Sequence, residues 1–309
     1  MSMPDVRPGM TAGSFAILDG DKGGSGDNDS ASTADVQASL EVPQYRSDQF
    51  VNGRILKPLL SISSSDVVLD ASSTSGYDRA HIKGAIHLPA KSFLNDSGRL
   101  RPVQEMASIL GRAGISREDA VVVYGDPLAS GDATFVLWVL RYLGHDDVRL
   151  LDGSLDDYIS AGLPVESGME SRAAADYIPE IVPDLLASYA LAKEGTAQVV
   201  DARTLEDFSM DSVPGSTFMD PSRVADGGWL IGSESLNETF SRFDRDLPVV
   251  IYSEDGVGAS LIWYALQLTG YDSRLYTWKD WQAHQPSINL VSLGVRPEGV
   301  KRLGRTVQI

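Results

Sequence analysis

The stretch Val249-Val-Ile-Tyr-Ser-Glu-Asp-Gly-Val-Gly-Ala-Ser-Leu-Ile-Trp-Tyr-Ala-Leu-Gln-Leu-Thr-Gly270 decides how the chain is read. Its first four residues are apolar and three of them are β-branched, the composition of a short strand buried on both faces. Gly256 and Gly258 follow within six residues of Tyr252. Ala259, Leu261, Ile262, Ala265, Leu266 and Leu268 then recur at helical spacing, and Gly270 supplies the stop. The expected unit is strand, tight loop, helix. The first turn of its helix carries unbonded N–H groups that converge on the loop and favour an anion. Ser253, the first loop residue, stands where a nucleophile would stand.

Working outward, the same unit occurs earlier. Ala120-Val-Val-Val-Tyr124 is a strand, and Thr134 to Leu143 is a helix with apolar residues almost all round, as in a buried helix. Further matches keep the chain order. Val68-Leu-Asp-Ala-Ser72 answers Val199-Val-Asp-Ala-Arg203. His81-Ile-Lys-Gly-Ala85 answers Ser212-Val-Pro-Gly-Ser216, and Asp96 to Leu110 answers Asp226 to Phe243. Arg149-Leu-Leu-Asp-Gly-Ser-Leu-Asp156 answers Arg274-Leu-Tyr-Thr-Trp-Lys-Asp-Trp281. Asp70 to Asp201 is a step of 131 and Tyr124 to Tyr252 one of 128. A near-constant offset over these ordered matches is an internal duplication. Strands alternating with helices in each half imply an α/β class, with parallel sheets covered by helices on both faces.

The whole chain fits two domains at 309 residues. No apolar run reaches the length of a membrane span. Met1 to Arg7 lacks an apolar signal core, so the expected compartment is cytoplasmic, a removed signal sequence being compatible with the same reading. The formal charge of -17, with 31 Asp against 12 Glu and 19 Arg against 7 Lys, argues against nucleic acid and anionic membranes as partners. An Asp-rich, Lys-poor surface suits a salty cytosol and equally an ordinary acidic protein. Zero Cys excludes disulfides, thiolate metal sites and thiol catalysis by this chain alone. No His spacing suggests a metal, and no cofactor is expected.

Two motifs carry a resemblance. One is Val-Ile-Tyr252 followed by Ser253 and a short loop into a helix. The other is Tyr77-Asp-Arg-Ala-His-Ile-Lys-Gly-Ala-Ile-His-Leu-Pro89, with Lys83 where the compared signature, Gly-His-Ile-Pro-Gly-Ala, has Pro. Together they resemble the rhodanese family, tandem thiosulfate or 3-mercaptopyruvate sulfurtransferases whose loop Cys carries sulfur as a persulfide. The resemblance implies two tandem rhodanese-like domains. Residues 1–42 are then expected to be a disordered segment, 45–166 a first, non-catalytic domain and 167–177 a linker. Residues 178–287 form a second domain with a degenerate loop at 253–259, and 288–309 a tail. That tail is basic between Val295 and Arg305 and is a candidate to lie across the acidic body. The halves are expected to separate into two protease-resistant fragments.

By the same resemblance Ser253 occupies the catalytic Cys position, the anion or substrate loop comprises Glu254, Asp255, Gly256, Val257, Gly258 and Ala259, and Arg203 lies near it. In the first domain the loop position is Gly125, and neither loop holds a thiol. A Ser hydroxyl cannot hold a persulfide and needs a neighbouring base to become a nucleophile. Glu254 and Asp255 oppose the anion-binding N–H groups, and Asp126 and Asp132 make the first loop acidic. His81 and His87 read as structural, His145 and His284 as turn or surface residues, and Trp263, Tyr264, Trp278 and Trp281 as core. Three functions remain open: a binding or regulatory module for an unknown protein or a small sulfur-containing anion; a sulfurtransferase relative whose thiol comes from a partner; and a Ser-dependent hydrolase.

Overall fold

The structure is a computed structural model and describes residues 45–285. The expected N-terminal segment 1–42 and tail 288–309 lie outside the described residues. Alternation along the strands lays out two sheets. In chain order the first half contains β1 (Leu56–Pro58), β2 (Asp66–Asp70), α1 (Thr74–Arg79), β3 (His81–Ile82), β4 (Ile86–His87), α2 (Val103–Arg112), β5 (Ala120–Tyr124), α3 (Asp132–Tyr142), β6 (Val148–Asp152), α4 (Leu155–Ser160) and β7 (Val165–Glu166). The second half follows with α5 (Tyr189–Lys193), β8 (Gln198–Asp201), α6 (Leu205–Met210), β9 (Thr217–Phe218), β10 (Ala225–Asp226), β11 (Trp229–Leu230), α7 (Ser233–Phe240), β12 (Val249–Ser253), α8 (Val257–Leu268), β13 (Ser273–Thr277) and α9 (Trp278–His284).

The first sheet runs β1-β6-β5-β2-β4 and the second β13-β12-β8-β9, with every pairing parallel. A single parallel bridge, Leu186 to Leu275, stands in the second sheet where β1 stands in the first. Strand β1, held by its pairing with β6, is followed directly by a turn of 3-10 helix at Leu59–Ser61.

Successive strand residues point to opposite faces. Val67, Leu69, Val121, Val123 and Leu150 of the first sheet share one hydrophobic cluster with Val200, Val249, Ile251 and Leu275 of the second. The outer faces form two separate clusters, Val68, Val122 and Leu151 in one and Val199, Val250 and Tyr252 in the other. Between the sheets lie α3 and α8, packed on each other, with Phe135, Val136, Trp138 and Val139 against Ala259, Leu261, Ile262 and Ala265 in the shared cluster. The duplicated halves therefore have one common core. Trp263, Tyr264, Trp278 and Trp281 are all buried, as read from the sequence.

Two straps reinforce this arrangement. Arg46 pairs with Asp152 of the first sheet and donates to the carbonyls of Leu230 and Ile231 in the second half. The chain after β7 lies on the first half: Ala175 N–H donates to Gly111 O at 2.9 Å, Glu180 N–H to Leu143 O at 3.0 Å and Val182 N–H to Tyr142 O at 2.9 Å. That docked chain also buries His145, which is 1% exposed with Nε2 donating to Asp119 O at 2.8 Å and Tyr177 stacked nearby. The turn or surface reading of His145 is thereby corrected, while His284 is exposed.

Candidate active site

Each repeat fixes its loop by the same hydrogen bonds. Tyr124 Oη donates to Asp70 Oδ2 at 2.5 Å, and Tyr252 Oη donates to Asp201 Oδ2 at 2.5 Å. Each hydroxyl also accepts an N–H, from Ile82 at 3.0 Å and from Val213 at 3.1 Å. The carboxylate's other oxygen takes the N–H two residues on, Ser72 at 2.7 Å or Arg203 at 2.9 Å. Burial and the bond to Asp201 push the Tyr252 phenol up to about 12, and the same causes raise Tyr124 further. Both tyrosines thus stay neutral donors that pin the strand ends from which the loops leave.

The second loop is short. Ser253 ends β12, and Gly256 at φ +95° turns the chain into α8, where a Cβ would lie 3.2 Å from Leu275 and 3.5 Å from Phe135. Ser253 Oγ accepts the N–H of Gly256 at 3.2 Å and of Ala259 at 3.1 Å. Asp255 Oδ1 accepts the Val257 N–H at 3.0 Å. The loop's own side chains therefore take three of the N–H groups that the sequence reading offered to a ligand. Ser253 is only 6% exposed, its hydroxyl turned inward to these donors. Glu254 is exposed, and its carbonyl accepts the Lys279 N–H at 3.3 Å.

Arg203, expected near this loop, is committed to other partners. Its guanidinium binds both Asp201 oxygens, with Nη2 to Oδ2 at 2.7 Å, donates to Asp211 O at 2.5 Å and lies 3.9 Å from the Trp278 ring centre. Burial works against its charge, but Asp201 outweighs burial and raises its pKa. Arg203 is the counter-ion of a buried carboxylate, so its field at Ser253 is largely cancelled. The first repeat has Ser72 there, whose Oγ accepts the Asp126 N–H at 3.0 Å.

Space separates the two loops chemically. A Cβ at Gly125 would lie 3.2 Å from the Ala133 Cβ, so the first loop has little room for any side chain. Opposite Ser253 the chain has Gly258, whose added Cβ would sit 3.8 Å from Ser253 Oγ. The loops meet across the common core. Ser260 Oγ donates to Gly131 O at 3.0 Å, and a Cβ on Gly131 would lie 2.4 Å from Val257 O. Asp132 is pushed up by burial and by the Asp255 carboxylate across this boundary, and Asp126 by burial and by Asp156 and Asp70. Sequence reasoning noted the acidity of both loops but missed that the loops face each other. Among the described residues no group of three or more His, Cys, Asp or Glu is placed to hold a metal. Nor is any described helix long and apolar enough to cross a membrane.

Residues 56–161 and 187–284 each match the family described as Rhodanese-like domain. The chain belongs to the rhodanese family. Among its rhodanese relatives, a putative thiosulfate sulfurtransferase, SseB of Mycobacterium tuberculosis, is 31% identical over 236 residues, covering 68% of this chain and 82% of the relative. The thiosulfate sulfurtransferase of Corynebacterium glutamicum is 29% identical over 242 residues, covering 66% of this chain and 78% of that one. The crystal structure of SseA from Escherichia coli, a 3-mercaptopyruvate sulfotransferase with the rhodanese fold, superposes with a TM-score of 0.66 at 19% identity, over 72% of this chain and 98% of that one. The tandem rhodanese architecture and the kinship with sulfurtransferases follow, in a chain without cysteine.

Proposed function

We propose that this rhodanese-family chain does not transfer sulfane sulfur and acts as a binding module, its second loop being a persulfide cradle that has lost its thiol. The observation that carries this reading is Ser253, at the end of β12, with Oγ accepting the Gly256 and Ala259 N–H groups. Those donors would stabilise a sulfur anion, but a hydroxyl cannot carry one. Asp255 fills a third donor from within, and Glu254 adds a second charge that repels anions. The geometry argues against a hydrolytic role for Ser253, because its hydroxyl accepts two backbone N–H groups whereas a serine nucleophile needs a hydrogen-bonded base. Sulfur transfer with a thiol lent by a partner is favoured only by the relatives' names.

The test is a thiosulfate–cyanide assay combined with mass spectrometry. The unaltered chain should form no thiocyanate and gain no sulfur. In Ser253→Cys the thiolate would attack the outer sulfur of thiosulfate, releasing sulfite, and cyanide would then remove that sulfur as thiocyanate. Activity should be slight in the single variant and clearly higher once Glu254→Gly and Asp255→Ser are added, because two like charges raise a thiol's pKa. Turnover by the unaltered protein, or a folded triple variant that never takes up sulfur, would overturn the reading.

A further inference from the structure

The two repeats differ in what covers their first helix. Tyr77 on α1 is 1% exposed because the chain leaving α4 returns over it. There β7 pairs antiparallel with β3, His81 opposite Glu166 and Ile82 opposite Val165. Lys83 N–H donates to Pro164 O at 3.1 Å, and Glu170 N–H to the Tyr77 hydroxyl at 3.1 Å. The step of 131 carries Tyr77 to Phe208 and His81–Ile82 to Ser212–Val213. Here the described residues leave the face bare. Phe208 is half-buried, Leu205 and Met210 are 60% and 71% exposed, and α6 has no buried residue. Among the described residues no strand pairs with Ser212–Val213. The edge is nevertheless held as in the first repeat, since Val213 N–H donates to Tyr252 Oη as Ile82 N–H donates to Tyr124 Oη.

The duplication also identifies what should cover that face. The N-caps of α4 and α9 correspond: Ser154 accepts the Asp157 N–H and Thr277 the Asp280 N–H, a step of 123. Tyr158 and Trp281, each 5% exposed, keep the same step. It carries Val165–Glu166 to Ile288–Asn289. The sequence there, Pro286-Ser-Ile-Asn-Leu-Val-Ser-Leu293, is apolar and uncharged, as a segment covering Phe208 must be. Arg296, Lys301 and Arg302 follow it, while exposed Glu206 and Asp211 flank the α6 face. We propose that residues 286–293 cover α6 in cis and pair antiparallel with Ser212–Val213, with Ile288 opposite Val213 and Asn289 opposite Ser212.

A chain without cysteine makes the register directly readable. Ser212→Cys with Asn289→Cys, in the full chain under mild oxidation, should form an intramolecular disulfide seen by mass on the monomer. Ser212→Cys with Ile288→Cys should form far less, because neighbouring strand residues point to opposite faces. No disulfide, equal yield in both pairs, or disulfides only between chains would each overturn the proposal; the last would indicate exchange with a second copy. Hydrogen exchange supplies an independent reading. In a chain ended at Gln285, the amides of residues 205–213 should exchange about tenfold faster than in the full chain. Unchanged exchange would also overturn it.

Discussion

Thr134 on α3 and Ser260 on α8 touch through their hydroxyls at 2.8 Å, both fully buried, in the middle of the core that the two repeats share. Each hydroxyl also donates to, or lies within bonding distance of, the Gly131 carbonyl at 3.0 Å, and Ser260 Oγ reaches Val257 O at 2.7 Å. The starts of the two loop helices are thus tied to each other by a closed polar cluster inside an apolar boundary. Such a cluster fixes one register of helix against helix.

Removing either hydroxyl should therefore be costly and the two losses should not add. Ser260→Ala and Thr134→Val are each expected to lower stability by about 1–2 kcal/mol. The double variant should be less destabilised than the sum by about 1 kcal/mol. Urea denaturation of the four proteins at pH 7 measures this, and strict additivity would show that the hydroxyls act independently.

Arg46 is expected to matter more than an exposed ion pair would. Its partner Asp152 has a side chain only 7% exposed, so Arg46→Ala leaves a buried carboxylate without its cation, at about 2–4 kcal/mol. Burial raises the Asp152 pKa and Arg46 pulls it back. A carboxyl raised on folding binds its proton more tightly in the native state, so its effect favours stability below that pKa and is lost as pH rises through it. The deficit of Arg46→Ala should accordingly shrink between pH 7 and pH 5. A deficit constant across that range would contradict the role given to Asp152.

Asp132 and Asp255 should show the same sign in milder form. Asp132 is raised by burial and by Asp255, and Asp255→Asn removes the repulsion while keeping an oxygen to cap the Val257 N–H. Stability at pH 7 should rise by a few tenths of a kcal/mol, about the scale of a partly exposed charge pair. The pH dependence above the ordinary Asp range should flatten. Thermal melts at pH 5 and pH 7 suffice, and a loss of stability at pH 7 would count against the argument.

Room for a side chain should distinguish the two loops. Ser253→Cys is expected to cost less than about 1 kcal/mol, since Gly258 leaves space beside it. Gly125→Cys should cost about 1–3 kcal/mol because its Cβ meets that of Ala133. Adding Ala133→Gly should recover part of this loss. Equal stability of the two cysteine variants would remove the steric reason for one loop being closed.

Much of the architecture could be read from local signals. Val249 to Tyr252, the Gly pair after it and the step of 131 between Asp70 and Asp201 were enough for strand, loop, helix and repeat. What escaped depends on contacts distant in sequence. A helix apolar on all sides, such as α3, announces burial but not its partner, and here the partner is α8, more than a hundred residues on. Arg203 looked available because a family position suggested it, while the carboxylate that occupies it lies two residues away at Asp201. His145 looked like a turn residue because the chain that buries it, around Tyr177, arrives from beyond the first sheet.

The shared core also sets a schedule for biosynthesis. When Tyr142 has left the ribosome, the face of α3 that will meet α8 has nothing to cover it until Leu268 follows. At ordinary elongation rates that interval is roughly 6–25 s, long compared with the collapse of a chain. During it Phe135, Val136 and Val139 are sticky surface on a half-made protein. Nascent copies on neighbouring ribosomes present the same surface, so efficient production of this chain should depend on holdase chaperones that shield the first repeat until the second is complete.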